Sequence, residues 1–470
     1  MDILSTSNIN NLINTSRQSE YYRRITPLLE KKSKFSELSS LWGSLKSNLT
    51  SFKSVLDDLK DTDAGGSFTS KSTELSSDDY FTATANSSAS LSSYNIWVEQ
   101  LAKSDLVMSD TVTSDDLAGL SAGTFTFQVA SGEYDQNLDI EVVGTETKAE
   151  LMELIADAIN EALSDAVSAS VFSPDDGESK LSVVSAETGE VSAITIKDVT
   201  GSALGSIGMS FESRSLLVDD GTGGYSTSLD ELNAKLTLNG VSVERSSNTI
   251  DDLISDVTLS LKDAMEVGVP TVNVIVKNNI EAIKADLENF IAKFNESYQF
   301  IKDNYYSNED GTRGIFVGNA TALGLMQSFS DIAYQEVEGI EDGDLSFLSE
   351  IGIDFDPSVG ISITDSDTLD EALENDPDQV AALFNSDSGI ANQLYDLVDS
   401  YITTGGVISN LIDSYDSSVS YLADKITYRE SQIDTNAEVL RNKYEAMQMQ
   451  LAELLNTQNY LSSIGMFDYS

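Results

Sequence analysis

The sequence predicts an α+β multidomain chain: a helical coiled-coil leg formed by both termini, with a β-rich, two-part head inserted between them. Three observations predict it. Apolar residues recur in alternating steps of three and four near each end of the chain. The middle changes to a period of two, with turn residues between its apolar runs. Histidine and cysteine are both absent from the 470 residues, which removes the commonest acid–base catalyst, thiolate metal sites and disulfides.

The N-terminal seam is Leu28, Lys31, Phe35, Leu38, Trp42, Leu45, Leu49, Phe52, Leu56 and Leu59, apolar at every position but Lys31. The C-terminal seam is Ile433, Ala437, Leu440, Tyr444, Met447, Leu451 and Leu454, with Leu461 one heptad further. This is the a/d spacing of a coiled coil. Burying each large side chain is worth roughly 1.5–3 kcal/mol, so both seams require partner helices. Leu28, Phe35, Leu38, Trp42, Leu45, Leu49, Phe52, Leu56, Leu59, Ile433, Leu440, Tyr444, Met447, Leu451, Leu454 and Leu461 are the candidate helical assembly interface.

Upstream, residues 7–24 read as a short helix opening after Ser7, with Ile9, Leu12 and Ile13 on one side. Thr26 reads as the N-cap of the long helix and Pro27 as its first position; Asp61–Gly66 ends it. Strands are expected at 80–85, 94–101 and 124–129, an amphipathic helix at 147–163, and strands at 167–172, 181–184 and 191–196. Gly221–Gly224 reads as a boundary loop. Leu236–Val243 offers two strands around Asn239-Gly240, a dipeptide suited to a two-residue hairpin because both positions accept positive φ. Strands at 257–261 and 272–276 precede a helix over 279–303, a mixed segment over 314–384, and helix from about 390. Tyr415, Val419, Leu422 and Ile426 step 4-3-4 and the next apolar site is Ile433, a phase slip of the kind that alters a supercoil. The expected domains are 1–65, an N-terminal leg; 66–105 with 232–276, an inner head; 106–231, an outer head; 277–410, a body packing on the leg; and 411–470, a C-terminal leg.

The formal net charge is −51, which argues against nucleic acid and anionic membrane as partners. No apolar run approaches the roughly 18 residues of a membrane span, and Met1–Ser7 lacks a basic segment followed by an apolar one, so ordinary signal-peptide secretion is not expected. The charge is uneven. Residues 17–60 carry nine Lys/Arg against five Asp/Glu, whereas residues 314–424 carry 22 acidic residues and no Lys or Arg. One reading is a solvated acidic surface; the other pairs the acidic stretch with the basic helix, within or between subunits.

Chemical motifs are few. Gly119-Leu-Ser-Ala-Gly123 matches G-x-S-x-G, but a nucleophile elbow needs a strand before it and a histidine base; a turn leading into a strand fits better. Asp365, Asp367, Asp370 and Glu371 lack the glycine and glutamate spacing of a calcium loop, and an Asp N-cap for a helix over 368–374 is the simpler reading. No cofactor or metal is expected, and no enzyme.

Five stretches resemble the flagellar hook-associated protein 2 family, the filament caps of bacterial flagella. They are Ile9–Asn14 through Leu41–Lys46; Tyr94-Asn-Ile-Trp-Val-Glu-Gln-Leu-Ala102; Leu238-Asn-Gly-Val-Ser-Val-Glu-Arg-Ser-Ser-Asn-Thr-Ile250 with Val257-Thr-Leu-Ser-Leu261; Ile351-Gly-Ile353 with Leu369, Ala372-Leu373, Pro377, Val380 and Leu383-Phe384; and the C-terminal helix with Tyr444, Met447 and Leu461. The third is the most specific. Asp256 stands where the family usually has glycine, and Thr364 follows Ile363 where an Asp is usual. The resemblance implies a structural cap at the distal end of the filament: an oligomeric ring of this chain that retains exported flagellin and promotes its folding and insertion. It implies flagellin, other hook-associated proteins and an export chaperone as partners. It also implies an extracellular place at the flagellum tip, reached through the flagellar type III apparatus without a cleaved signal peptide. The alternatives are an adhesin or lectin-like surface protein with a β-rich head on a coiled-coil stalk, or another hook–filament junction protein. Matching seams at both termini favour the axial protein.

Overall fold

The computed structural model describes residues 5–63, 65–218, 220–306, 313–341 and 343–463. The chain opens with α1 (Thr6–Arg24) and α2 (Thr26–Lys60). Strands β1 (Lys71–Leu75), β2 (Phe81–Ala85), β3 (Ser92–Gln100), β4 (Ser104–Met108), β5 (Val112–Thr113), β6 (Gly123–Ser131) and β7 (Tyr134–Val142) lead to α3 (Lys148–Leu163). Then come β8 (Val167–Phe172), β9 (Glu178–Thr188), β10 (Thr195–Thr200), β11 (Gly224–Tyr225), β12 (Ala234–Leu238), β13 (Val241–Arg245), β14 (Thr249–Ile254), β15 (Val257–Leu261) and β16 (Val272–Asn278). Helices α4 (Ile280–Tyr305) and α5 (Ala320–Tyr334), the hairpin β17 (Ile353–Asp356) and β18 (Gly360–Ile363), and helices α6 (Ser366–Asn375), α7 (Pro377–Asn385), α8 (Ile390–Ile402) and α9 (Val407–Ser463) complete it.

These elements form two compact units. One comprises the chain up to Thr62, Gly66–Phe68 and everything from Ile280 onward; the other comprises Asp63–Gly65 and Thr69–Asn279. Both termini and the segment 280–402 therefore share one unit, and the β-rich middle is the other.

The β-rich unit has two hydrophobic cores. In the inner core, the sheet β1-β16-β3-β12-β13 and the sheet β14-β15-β2 enclose Phe81, Ile96, Val98, Leu236, Leu259 and Val274. Asn239 and Gly240 both have positive φ, 49° and 82°, as the two-residue β12–β13 turn requires. Asp256 sits at φ 62° in the turn before β15, which explains why glycine suits this position and why Asp, which tolerates the left-handed region, can replace it. Asn248 accepts from the Ala102 N–H at 2.8 Å and donates to the Ala102 carbonyl at 2.9 Å, so two of the five resembling stretches meet through one amide. In the outer core, α3 packs on β7, β8 and β9, and Leu151, Ile155, Ile159, Phe127, Val129 and Val183 share one buried cluster. Thr147 and Glu150 close a capping box at its start. Asp105, fully buried, accepts from both terminal nitrogens of Arg214, at 2.5 and 3.0 Å, and from the Ile194 N–H at 2.8 Å.

The structure corrects several boundaries. Ser5, not Ser7, caps α1, accepting from the Asn8 N–H at 3.3 Å. Thr26 is inside α2 rather than its cap. Ile25 keeps helical dihedrals at the junction of α1 and α2; Pro27 cannot donate there, and the Leu28 and Leu29 N–H groups both donate to the Ile25 carbonyl. The strand expected at 191–196 begins only at Thr195, because Ala193 donates back to Glu190 in a 3-10 turn and Ser131 takes the Ser192 carbonyl. Strand β7 was not expected; it pairs with β6 along its whole length. Gly123 opens β6, so Gly119–Gly123 is the turn leading into that strand. Asp365 caps α6, accepting from the Thr368 N–H at 3.0 Å, and that bond holds its carboxyl below the usual range.

Candidate assembly interface

The helical unit is built along α2. Its seam packs on α4, α8 and α9, and Trp42, Leu45, Leu49, Phe52, Leu56 and Leu59 are fully buried, with Leu38 nearly so. Phe52 lies 5.8 Å from the rings of Phe290 and Phe329 and edge-on to Phe294 at 6.1 Å. Trp42 lies 4.6 Å from Phe316. At the other flank, Lys53 donates to Asp399 at 2.5 Å and lies over the Tyr395 ring, which Lys60 also approaches. The Asp399 hydrogen bond, then the Tyr395 hydroxyl, raises the Lys53 pKa above its ordinary value.

Helix α9 runs antiparallel to α2 and then to α1, as its cross-links show. Lys46 donates to Ser409 at 2.9 Å, Ser39 to Asp416 at 2.6 Å, Arg24 to Gln432 at 2.7 Å and Arg441 to Asn10 at 2.9 Å; Arg17 pairs with Asp434. Ile9, Ile13, Ile25, Ile426 and Ile433 are buried, and Leu28 and Phe35 are half-buried, Phe35 beside Tyr415 at 5.7 Å. Two grooves, of about 300 and 560 Å³, flank this thin two-helix stem.

Ile433 is the last buried side chain of α9 among the described residues. Leu440, Tyr444 and Leu461 are half-buried. Met447, Leu451 and Leu454 are 50%, 44% and 67% exposed, beside Met449, Leu455 and Tyr460. From Arg441 to Ser463 the helix continues for roughly 33 Å at 1.5 Å per residue. The sequence-derived set thus divides. Leu38 to Leu59 are consumed within the subunit, Ile433 closes the stem, and the stretch from Leu440 to Leu461 presents an apolar stripe to solvent. Sequence reasoning did not pick out the polar ties Arg17, Arg24, Gln432 and Arg441; the one signal is the charge of the three arginines, and Gln432 gives none.

The models of the flagellar hook-associated protein 2 N-terminus and C-terminus match residues 5–105 and 232–456. The flagellar hook-associated protein 2 of Escherichia coli K12 is 26% identical over 449 residues, 93% of this chain and 92% of that protein. The A-type flagellar hook-associated protein 2 of Pseudomonas aeruginosa is 25% identical over 433 residues, covering 89% and 84%. The crystal structure of the D1-D2-D3 domains of the E. coli flagellar cap protein FliD superposes with a TM-score of 0.61 at 26% identity, covering 80% of this chain and 99% of that one.

Proposed function

Since the chain belongs to the flagellar hook-associated protein 2 family, the flagellar filament caps, we propose that it works through the exposed end of α9. The carrying observation is the apolar stripe of Leu440, Tyr444, Met447, Leu451, Leu454 and Leu461 on a helix whose preceding turns are packed. A capping subunit has to hold neighbours and the filament end while staying soluble alone, and a segment left open until assembly meets both demands. Candidate covers are a second copy of the chain and flagellin.

The division of labour we infer follows the segments. The legs, 1–65 and 411–470, anchor the subunit; 277–410 stiffens them; the inner head, 66–105 with 232–276, and the outer head, 106–231, close the tip. The ring would retain exported flagellin and promote its insertion. No catalytic step is assigned, since neither histidine nor cysteine exists and the acidic motif at 365–371 supplies a helix cap. No helix among the described residues is long and apolar enough to cross a membrane. Export through the flagellar type III apparatus, an export chaperone and contacts with other hook-associated proteins belong to the same proposal.

The test uses a strain lacking the chain. Negative-stain images should show bare hooks with flagellin lost to the medium, and the full chain should restore filaments. A chain carrying Leu451→Glu and Leu454→Glu should be secreted but fail to restore them. Filaments of normal length from the deletion strain would refute the cap role. Restoration by the double variant would refute the α9 interface alone.

A further inference from the structure

An open sheet edge is a template on which a second chain can pair. Among the described residues, every edge of the β-rich unit but one is short, irregular or covered. Strands β5 and β11 have two residues each, and β13 has five. Strands β10 and β14 are broken by register shifts, between Asp198 and Thr200 and between Ile250 and Ile254. On β8 the Asn160 amide bonds both the N–H and the carbonyl of Ala169, at 2.8 Å each. Strands β1 and β2 cover one another, and the Thr73 hydroxyl donates to the Ala83 carbonyl at 2.5 Å.

Strand β7 is the exception. Its nine residues pair with β6 from Tyr134–Ser131 to Val142–Gly123 without a register shift. It contains no proline, and among the described residues no backbone hydrogen bond reaches its outer side. In an antiparallel ladder every second residue turns its N–H and C=O away from its partner, so a long row of donors and acceptors faces outward. What this edge has instead of a bulge or a cover is charge. Asp135, Asn137, Asp139 and Glu141 are exposed on one face, while Leu138, Ile140 and Val142 are buried on the face that α3 covers. The carboxylates are held from β6: Gln128 donates to Asp135 at 2.6 Å, Thr126 to Asp139 at 2.7 Å and Thr124 to Glu141 at 2.6 Å. None of the three is ion-paired among the described residues. The lysine of this sheet face, Lys197, lies on β10 opposite Gln128, two strands from the edge.

We infer that this acid row keeps β7 from pairing with β7 of a second copy of the chain. Symmetry makes the barrier independent of register. Two copies joined antiparallel along β7 are related by a two-fold axis normal to the sheet, so both keep α3 on one side and both lay their acids on the other. Centred on Asn137, the pairing sets Asp135 against Asp139. Centred on Leu138, it sets Asp135 against Glu141. Centred on Asp139, it sets that residue against its own copy. Directly opposite side chains lie about 4.5–5.5 Å apart at Cβ, and like charges there destabilise the pair. The inference goes beyond the capping role and does not rest on it: it concerns a contact the chain avoids wherever many copies meet, and leaves other surfaces free to associate.

The chain has no cysteine of its own, so one introduced by Asn137→Cys reports the meeting of two β7 edges as a disulfide-linked dimer under mild oxidation. In the full-length N137C chain, D135N/D139N/E141Q keeps the side-chain shapes and the acceptors for Gln128, Thr126 and Thr124, and should speed dimer formation at least tenfold. The exposed face of α3 supplies the control. There E153Q/D157N/E161Q removes three charges from the same head, tests the general repulsion between chains of charge −51, and should change the rate less than twofold. A lysine row, D135K/D139K/E141K, should stay slow alone and link at least tenfold faster to the N137C chain that keeps its acids. Circular dichroism would verify unchanged strand and helix content in each chain. No gain from the amides, an equal gain from the α3 control, or no preference of the lysine row for the acid row overturns the inference.

Discussion

Helices α2 and α9 carry the same alternating apolar spacing, and the fold treats them in opposite ways. On α2, every seam position from Leu38 to Leu59 is buried. On α9, burial stops at Ile433 although the spacing continues to Leu461. The difference is not in the residues. Helix α2 is flanked by α4, α8 and α9, with Phe290, Phe294 and Phe329 filling its neighbourhood, whereas among the described residues the distal part of α9 packs on α1 alone. A heptad pattern specifies that a partner is needed; where that partner comes from is decided by the rest of the chain.

The largest effect should come from breaking the filled seam. Phe52→Ala removes a ring held against three others and should cost about 3–5 kcal/mol of stability. Urea unfolding followed by helix content should show the loss, while the β-rich unit, with cores of its own, should retain its transition. Ile433→Ala should cost less, about 2 kcal/mol, since its cluster is only Ile25, Ile426, Ile433 and Leu28. The loss should be local: hydrogen exchange should quicken in α1 and in α9 beyond Ile426 and stay unchanged in α4 and α5. Global destabilisation by Ile433→Ala equal to that of Phe52→Ala would mean the stem and body are one cooperative whole, and the contrast drawn between the two seams would fail.

How much of this was legible in the sequence depended on the range of the interactions involved. The α2 seam, the Asn239-Gly240 turn and the Asp365 cap are local patterns, and the residues announce them. Strand β7 was missed because its solvent face, Asp135, Asn137, Asp139 and Glu141, outweighs three buried apolar positions, Leu138, Ile140 and Val142. The 191–196 strand was misread because Ser131, some sixty residues away, takes the Ser192 carbonyl and helps hold a 3-10 turn. In the assembly surface, the full apolar list was visible, but its division at Ile433 was not, because that depends on which α9 positions meet apolar side chains such as Ile25 across the antiparallel stem. The pairing of Asp105 with Arg214 is likewise invisible in one dimension, being 109 residues apart.

A smaller effect should mark the extra support that α2 enjoys. The Asp399 carboxylate and Tyr395 hydroxyl raise the Lys53 pKa above its ordinary value of 10.5. A raised pKa contributes stability that is complete below the ordinary value and is lost as pH rises through the folded one. The tie between α2 and α8 should therefore loosen only in alkaline solution. Nitrogen-detected NMR titration should place the deprotonation of the Lys53 ammonium above the ordinary value of 10.5. Asp399→Asn should lower it; an unchanged midpoint would show that Asp399 does not hold the charge.

The smallest effect on the subunit should come from the open seam, and it is the most informative. Leu451→Ala with Leu454→Ala removes two leucines at successive seam positions, as Leu45 and Leu49 are. Because they are 44% and 67% exposed, the isolated subunit has little burial to lose, and its unfolding midpoint should stay within about 0.5 kcal/mol of the unaltered chain. The same pair of substitutions at Leu45 and Leu49 should cost several kcal/mol, since each lost buried leucine typically costs about 2–5. A large stability loss from the distal pair would show that this stretch already has a partner within the subunit. A neutral result, combined with weaker self-association or failure to bind filament ends, would establish that α9 carries a seam whose second half lies on another molecule.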